Sequence, residues 1–329
     1  MIIPIFVPHE GCPNDCAFCN QRTISGKSMA PTTDEARSTI EEYLSGGKTA
    51  EQIAFFGGSF TGIDIKKQNE YLSLAQEYIR KGLVKSIRLS TRPDYIDADT
   101  VQRLISYGVK NIELGAQSMD EDILHLSKRG HSAENVEKAA EIINGSGAVL
   151  GLQMMTGLPG DTPQKCLYTA RRFKELGAKE TRIYPTVVLR GTYLEKMLKK
   201  GEYTPQSVED AVEISAKLYR FFTQNGISVL RIGLPDGEDL RKNYKFNETC
   251  QESVPQAIYC FLISEDFVDC LRTTISIGGD CDTTAAISCA IAEAYYDEIP
   301  LDLIEAVKSK LPKEMLDIIE DANWIYMMK

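Results

Sequence analysis

The sequence predicts an α/β protein: a partial (β/α)6 barrel of the TIM type over residues 1–234, followed by a small all-α module over residues 235–329. Three observations lead there. Short apolar runs alternate with helix-patterned stretches six times, which parallel strands joined by helical crossovers satisfy. Four of those runs end in glycine- or cysteine-bearing loops, at the strand ends where barrels keep their chemistry. After Leu234 the alternation stops, and only helical patterns follow.

The first run, Ile2–Val7, reads as a short buried strand. It leads into Cys12-Pro-Asn-Asp-Cys16-Ala-Phe-Cys19, three cysteines spaced CxxxCxxC. A helix is expected from Thr33, taken as its N-cap, to Ser45, with Gly46-Gly47 stopping it. Gln52–Phe56 is the second strand and ends in Gly57-Gly58-Ser59. A glycine pair lets a polar ligand approach the backbone, and a simple turn would use the same pair. Asn69–Lys81 is helical, and Ser86–Ser90 is a strand running into Thr91 and Arg92. Asp99–Tyr107 is a helix closed by Gly108, and Asn111–Leu114 is a strand ending in Gly115-Ala116-Gln117-Ser118. A helix capped by Ser132 reaches Asn144. Val149–Met155 is a strand that ends in Gly157-Leu158-Pro159-Gly160, Thr162–Leu176 is a helix, and Glu180–Pro185 is the sixth strand. Ser207–Gln224 has the apolar spacing of an amphipathic helix. Ile227–Ile232 adds a strand beside the barrel.

Hydrophobic residues make up 43% of the chain and charged residues 26%, the balance of a globular domain. No apolar run approaches the ~18 residues of a membrane span, so no membrane partner is expected. No basic-then-apolar signal pattern opens the chain. Nine cysteines without paired spacing suit a reducing, cytoplasmic setting better than a disulfide framework. The net charge of −10 belongs to the tail. Through Pro235 there are 29 Lys and Arg against 28 Asp and Glu, and from Asp236 on there are 8 against 19. A neutral catalytic part neither demands nor forbids a nucleic acid, for which a local basic patch suffices. An acidic tail near such a patch would repel phosphates.

Three thiolates on one loop can hold three irons of a cubane and leave the fourth open to a small molecule, because such clusters normally take four cysteines. The triplet alone also admits three buried thiols, or a zinc site, which wants four ligands and finds only His9 nearby. With Phe18 before its last cysteine, the triplet resembles the signature of the radical S-adenosyl-L-methionine (SAM) superfamily. The runs Ser90-Thr-Arg-Pro-Asp94, Glu113-Leu-Gly-Ala-Gln-Ser118, Arg129-Gly-His-Ser132 and Gly151–Asp161 carry the resemblance over residues 1–234. It is closest to the branch of the Elongator catalytic subunit, a tRNA wobble-uridine modifier, and looser to oxygen-independent coproporphyrinogen oxidases.

The resemblance implies a 4Fe-4S cluster on Cys12, Cys16 and Cys19, with SAM at the open iron. It implies cofactor-binding roles for Phe18, Gly57, Gly58, Ser59, Thr91, Gln117, Arg129 and Gln153. Loop capping, or for Arg129 a solvated surface charge, is the plainer alternative for these side chains. The implied reaction is reductive cleavage of SAM to a 5′-deoxyadenosyl radical that abstracts hydrogen from a substrate, with tRNA a candidate. A reductant such as flavodoxin or ferredoxin would supply the electron. Tyr95 and Tyr184 are placed to relay a radical, although packing is the simpler role. The Elongator subunit's acetyltransferase-like domain finds no counterpart after this barrel, so acetyl-CoA chemistry is not expected.

Past the polar stretch Pro235–Asp239 the chain reads as helices over Glu252–Ile263, Asp266–Ile275, Asp282–Tyr296, Leu301–Leu311 and Lys313–Asn323. Gly278-Gly279-Asp280-Cys281-Asp282-Thr283 opens the third. Paired carboxylates there suit either a hard cation or plain helix capping. With Cys250–Ile258 and Ile291–Pro300, this stretch resembles the end of an ADP-ribosylglycohydrolase, which implies a divalent metal such as Mg at Asp280, Asp282 and Thr283. The matching early half of that family, with its other metal ligands, has no counterpart here. The ligand set is therefore incomplete, and no hydrolysis of ADP-ribose linkages is expected from the tail. Three functions compete on sequence grounds: a radical SAM enzyme, an ADP-ribosylglycohydrolase-related hydrolase with an appended domain, and a non-catalytic binding fusion.

Overall fold

A computed structural model of the protein describes residues 1–7, 12, 16–20, 30–233, 253–277, 281–296, 299–313 and 316. Seven strands form one parallel sheet in sequence order. They are β1 (Ile2–Val7), β2 (Ala50–Gly57), β3 (Val84–Thr91), β4 (Val109–Gln117), β5 (Val149–Thr156), β6 (Glu180–Pro185) and β7 (Ser228–Ile232). The arrangement is the half-barrel expected, with β7 parallel to β6 as the added strand.

Alternation along the strands sorts side chains into two faces. One is apolar: Ile53, Ile87, Leu89, Ile112, Leu114, Leu150, Leu152 and Ile183 are all 0% exposed. Burying each such side chain is worth about 1.5–3 kcal/mol, and this row is the main adhesive of the barrel. The other face carries Gln52, Arg88, Glu113, Gln153 and Arg182, which are bound to one another. Strands of parallel sheets are usually apolar on both faces, so this polar row departs from the pattern and lies on the side away from the apolar core.

Between the strands run α1 (Thr33–Leu44), α2 (Ile65–Arg80), α3 (Ala98–Ser106), α4 (Glu121–Leu126), α5 (Ala133–Gly145), α6 (Pro163–Glu175), α7 (Tyr193–Lys199) and α8 (Val208–Gln224). Their starts are set by side-chain caps. The cap of α1 is Thr32, one residue earlier than expected: its hydroxyl accepts from the Glu35 N–H, and its own N–H donates to the Glu35 carboxylate in a capping box. Asp64 starts α2 ahead of the expected Asn69. Ser132, Thr162 and Ser207 cap α5, α6 and α8. Sequence periodicity misses α4 and α7, which span only 6 and 7 residues, too short to repeat an apolar stripe. Local caps at Asp120 and Thr192 define them instead.

The chain divides into two compact units, 1–251 and 252–329. The sequence reading puts the boundary after Leu234. The second unit contains α9 (Ser253–Leu262), α10 (Phe267–Ile277), α11 (Cys281–Tyr296) and α12 (Leu301–Lys308). Its core is Phe267, Cys270 and Ala292, with Phe261, Cys289, Tyr296 and Leu303 packed around them. The Thr274 and Ser288 hydroxyls satisfy each other inside it at 2.8 Å. The helix expected over Lys313–Asn323 lies largely outside the described residues.

Candidate active site

The cysteine loop follows β1. Val7 pairs with Gly57, and the Gly58 N–H donates to the Val7 carbonyl at 3.0 Å. This register brings the strand end that leads to Cys12 beside the glycine pair. Gly57 has φ +117°, a conformation that suits glycine. The Cys12 thiol faces the Ser59 backbone. Burial pushes that thiol's pKa up, the Arg129 charge opposes the rise, the Cys16 thiol adds to it, and Arg92 opposes it more weakly.

Cys16 is buried, while Cys12 and Cys19 are half-buried. The Cys19 N–H closes a tight turn onto the Cys16 carbonyl at 3.0 Å. Two neighbours clamp this turn: Ala17 N–H donates to Ser127 O at 2.9 Å, and Leu194 N–H donates to Ala17 O at 2.8 Å. Asn20 Nδ2 adds a bond to Arg190 O at 3.1 Å. Half-buried Phe18 sits within the turn. Among the described residues no three His, Cys, Asp or Glu side chains form a group able to hold a metal ion. Cubane thiolates bind separate irons rather than one ion.

Beyond the glycine pair, hydroxyls join the ends of β2 and β3. Ser59 Oγ and Thr91 Oγ1 lie 2.9 Å apart, and the Arg92 and Thr61 backbone N–H groups donate to them. Arg92, which the sequence reading passes over, is 2% exposed. It forks onto Asp94 through Nε and Nη2, each at 2.9 Å, and its Nη1 donates to Arg129 O at 3.0 Å.

At the end of β4 the register shifts between Gly115 and Gln117. Gln117 takes φ +68°, and its Oε1 is buried without a partner among the described residues. Arg129 is no solvated surface charge: it is 7% exposed. Its Nε and Nη2 donate to Gly115 O at 3.2 and 2.6 Å, and its Nη1 to Cys16 Sγ at 3.2 Å. A Cβ on residue 115 would lie 2.7 Å from Arg129 Nη2 and 2.9 Å from Gln117 Nε2, so glycine there makes room for both. Gln153 on β5 gives its Nε2 to Glu113 at 2.9 Å and Ser90 at 3.2 Å.

Beneath these strand ends lies a charge network absent from the sequence reading. Arg88 bridges Glu113 at 2.8 Å and Glu180 at 2.8 and 3.0 Å. Arg182 bonds Glu113 at 2.6 and 3.1 Å. Gly151 leaves space for it, since a Cβ there would lie 2.9 Å from Glu113 Cγ. Tyr184 adjoins Arg182, and burial raises its pKa. In the second unit, Asp280 lies outside the described residues, as do the side chains of Asp282 and Thr283.

His131 is also buried, with Nε2 3.3 Å from Gly115 O. Burial, then the Arg129 charge, push its pKa down from 6.5 to about 4. The unfolded chain gains this proton near 6.5 while the folded chain stays neutral to about 4. Stability is therefore full above the unfolded value and falls as pH drops through that window, by up to about 3 kcal/mol. Urea unfolding of the cluster-free chain at about pH 7.5 and about pH 4.5 checks this. The wild-type midpoint is expected to fall more than that of His131→Gln, and equal falls would count against it.

Fold and strand-end geometry agree with one family. The chain belongs to the radical SAM superfamily: the model described as "Radical SAM superfamily" matches residues 6–173, and that described as "Radical_SAM C-terminal domain" matches residues 178–252. It is a radical SAM enzyme, and membership implies a 4Fe-4S cluster and SAM as cofactors. It is 28% identical over 205 residues to the tRNA uridine(34) acetyltransferase of Methanocaldococcus infernus, covering 55% of this chain and 38% of that protein. It is 28% identical over 206 residues to human Elongator complex protein 3, covering 56% of this chain and 38% of that one. Its fold matches the structure of the archaeal Methanocaldococcus infernus Elp3 with an N-terminal deletion, at TM-score 0.58 and 21% identity, over 70% of this chain and 56% of that chain. This chain thus spans well under two thirds of the length of each. Among the described residues no helix is long and apolar enough to cross a membrane.

Proposed function

We propose that Cys12, Cys16 and Cys19 hold the cluster with one iron open, that SAM lies against the ends of β2 to β5, and that the substrate is a tRNA. The observation that carries the cluster assignment is the setting of the thiols. Arg129 is buried against Cys16 and has no carboxylate ion-pair partner among the described residues. A buried cation lacking a counter-charge costs several kcal/mol, and cluster-bound thiolates supply that charge. Gln117 Oε1 is a buried acceptor in want of a donor. The residues present therefore fit both cofactors.

When bound, the cluster and SAM supply reductive cleavage to methionine and a 5′-deoxyadenosyl radical, which takes a hydrogen atom from the substrate. The chain's own residues bind and orient. Gly57 and Gly58 admit a polar head to the backbone. Ser59 and Thr91, tied to each other, fix two strand-end loops. Gln117 presents its acceptor. Gln153, with its Nε2 spent on Glu113 and Ser90, leaves its carbonyl oxygen as the atom available to a ligand.

The tRNA assignment is supported by the relatives, whose names carry tRNA uridine(34). A cluster held by thiolates calls for a reducing compartment, and a flavodoxin or ferredoxin is the reductant proposed. The test is 5′-deoxyadenosine formation by the iron-reconstituted chain with and without bulk tRNA. A yield that rises with tRNA, and deuterium passing from perdeuterated tRNA into 5′-deoxyadenosine, are expected. Equal yields with no transferred deuterium would exclude tRNA.

A further inference from the structure

We infer that Arg129 raises the reduction potential of the cluster by donating a hydrogen bond to the Cys16 thiolate; this rests on the cluster assignment above. The guanidinium is fixed rather than mobile. Nε and Nη2 converge on Gly115 O, and Nη1 is thereby aimed at Cys16 Sγ, 3.2 Å away. The backbone is held too: Arg92 Nη1 donates to Arg129 O, and Arg129 N–H donates to Leu124 O at 2.9 Å. Arg92 is neutralised by its fork onto Asp94, whereas Arg129 has only sulfur as a counter-charge among the described residues.

A one-electron reduction adds one negative charge to the cluster, with the electron coming from the external reductant and no proton required. A fixed cation beside a ligand sulfur, in a site this dry, favours the more negative state. Hydrogen bonds to cluster sulfurs act in the same sense. Arg129 is therefore a positioning and tuning residue, acting through Cys16. Were its charge kept only for the SAM carboxylate, it would leave the potential of the SAM-free cluster unmoved.

The test is an anaerobic redox titration of the iron-reconstituted full chain without SAM, read by electron paramagnetic resonance (EPR) of the reduced cluster. Wild type, Arg129→Gln, Arg129→Lys and Gly115→Ala are compared at equal iron content. The expected order of midpoints is wild type highest and Arg129→Gln lowest. Arg129→Lys lies between, and Gly115→Ala is lowered because its Cβ displaces the guanidinium. Pulsed EPR of wild type carrying 15N-guanidino arginine should show nitrogen coupling to the cluster, and this arm stands even if a variant fails to take up iron. An unchanged midpoint in Arg129→Gln overturns the inference, even if SAM affinity falls; so does absent nitrogen coupling in wild type. A wild-type chain that binds no iron is a different failure, of the cluster assignment itself.

Discussion

Cys16→Ala is expected to abolish both cluster binding and SAM cleavage while leaving the barrel folded. Cys16 sits at the centre of the thiol set: it accepts from Arg129, and its carbonyl closes the turn to Cys19. Three ligands are one fewer than a cubane normally has, so a site reduced to two has no reserve. The turn itself is held by backbone bonds from Ala17 to Ser127 and from Leu194 to Ala17, which alanine at residue 16 keeps. The packing lost is one small side chain, on the order of 1 kcal/mol. Iron and sulfide content of the reconstituted variant, beside its far-UV circular dichroism, separates the two effects. Unchanged dichroism with iron near zero is expected. Full iron content with undiminished SAM cleavage would remove Cys16 from the ligand set.

Glu113→Ala should give the largest loss of stability, about 3–5 kcal/mol. Glu113 is 1% exposed and lies between Arg88, 4% exposed, and Arg182. Removing its carboxylate leaves Arg182 without its ion pair and Arg88 with only Glu180. For a unit of this size the melting temperature should drop by roughly 10 °C. Arg182→Met placed on the same background should recover part of the loss, because the stranded charge goes with it. Burial alone would raise the Glu113 pKa. The hydrogen bond and charge of Arg182, then those of Arg88, overcome that and leave it below the ordinary carboxylate value. Its folded pKa being depressed, this stabilisation is present above the unfolded value of 4.5 and is lost as pH falls through the folded one. A melting temperature unchanged at neutral pH in Glu113→Ala would contradict the network's role.

Much of the barrel can be read from the chain because a parallel strand with a buried apolar face leaves an unbroken signal, as in Ile2–Val7, whose bounds agree in sequence and structure. Some helix starts are legible from one capping residue, as at Ser132, whereas the caps Asp64, Asp120 and Thr192 escape the sequence pattern. The polar face is not legible. Gln52, Arg88, Glu113 and Arg182 are scattered through the sequence, and nothing local says that parallel register brings them into one bonded row. Arg129 shows the same limit. Its place in a motif marked it, but its burial against Cys16 depends on contacts 113 residues apart. Arg92 and His131 lie inside the same motifs, but only folding buries them beside Arg129, which no local pattern shows.

The radical SAM assignment is tested most directly by the iron content of the anaerobically reconstituted chain together with its production of 5′-deoxyadenosine from SAM and a low-potential reductant. About four irons per chain and reductant-dependent 5′-deoxyadenosine, formed in step with methionine, are expected. A chain that carries its full iron and releases none would contradict it.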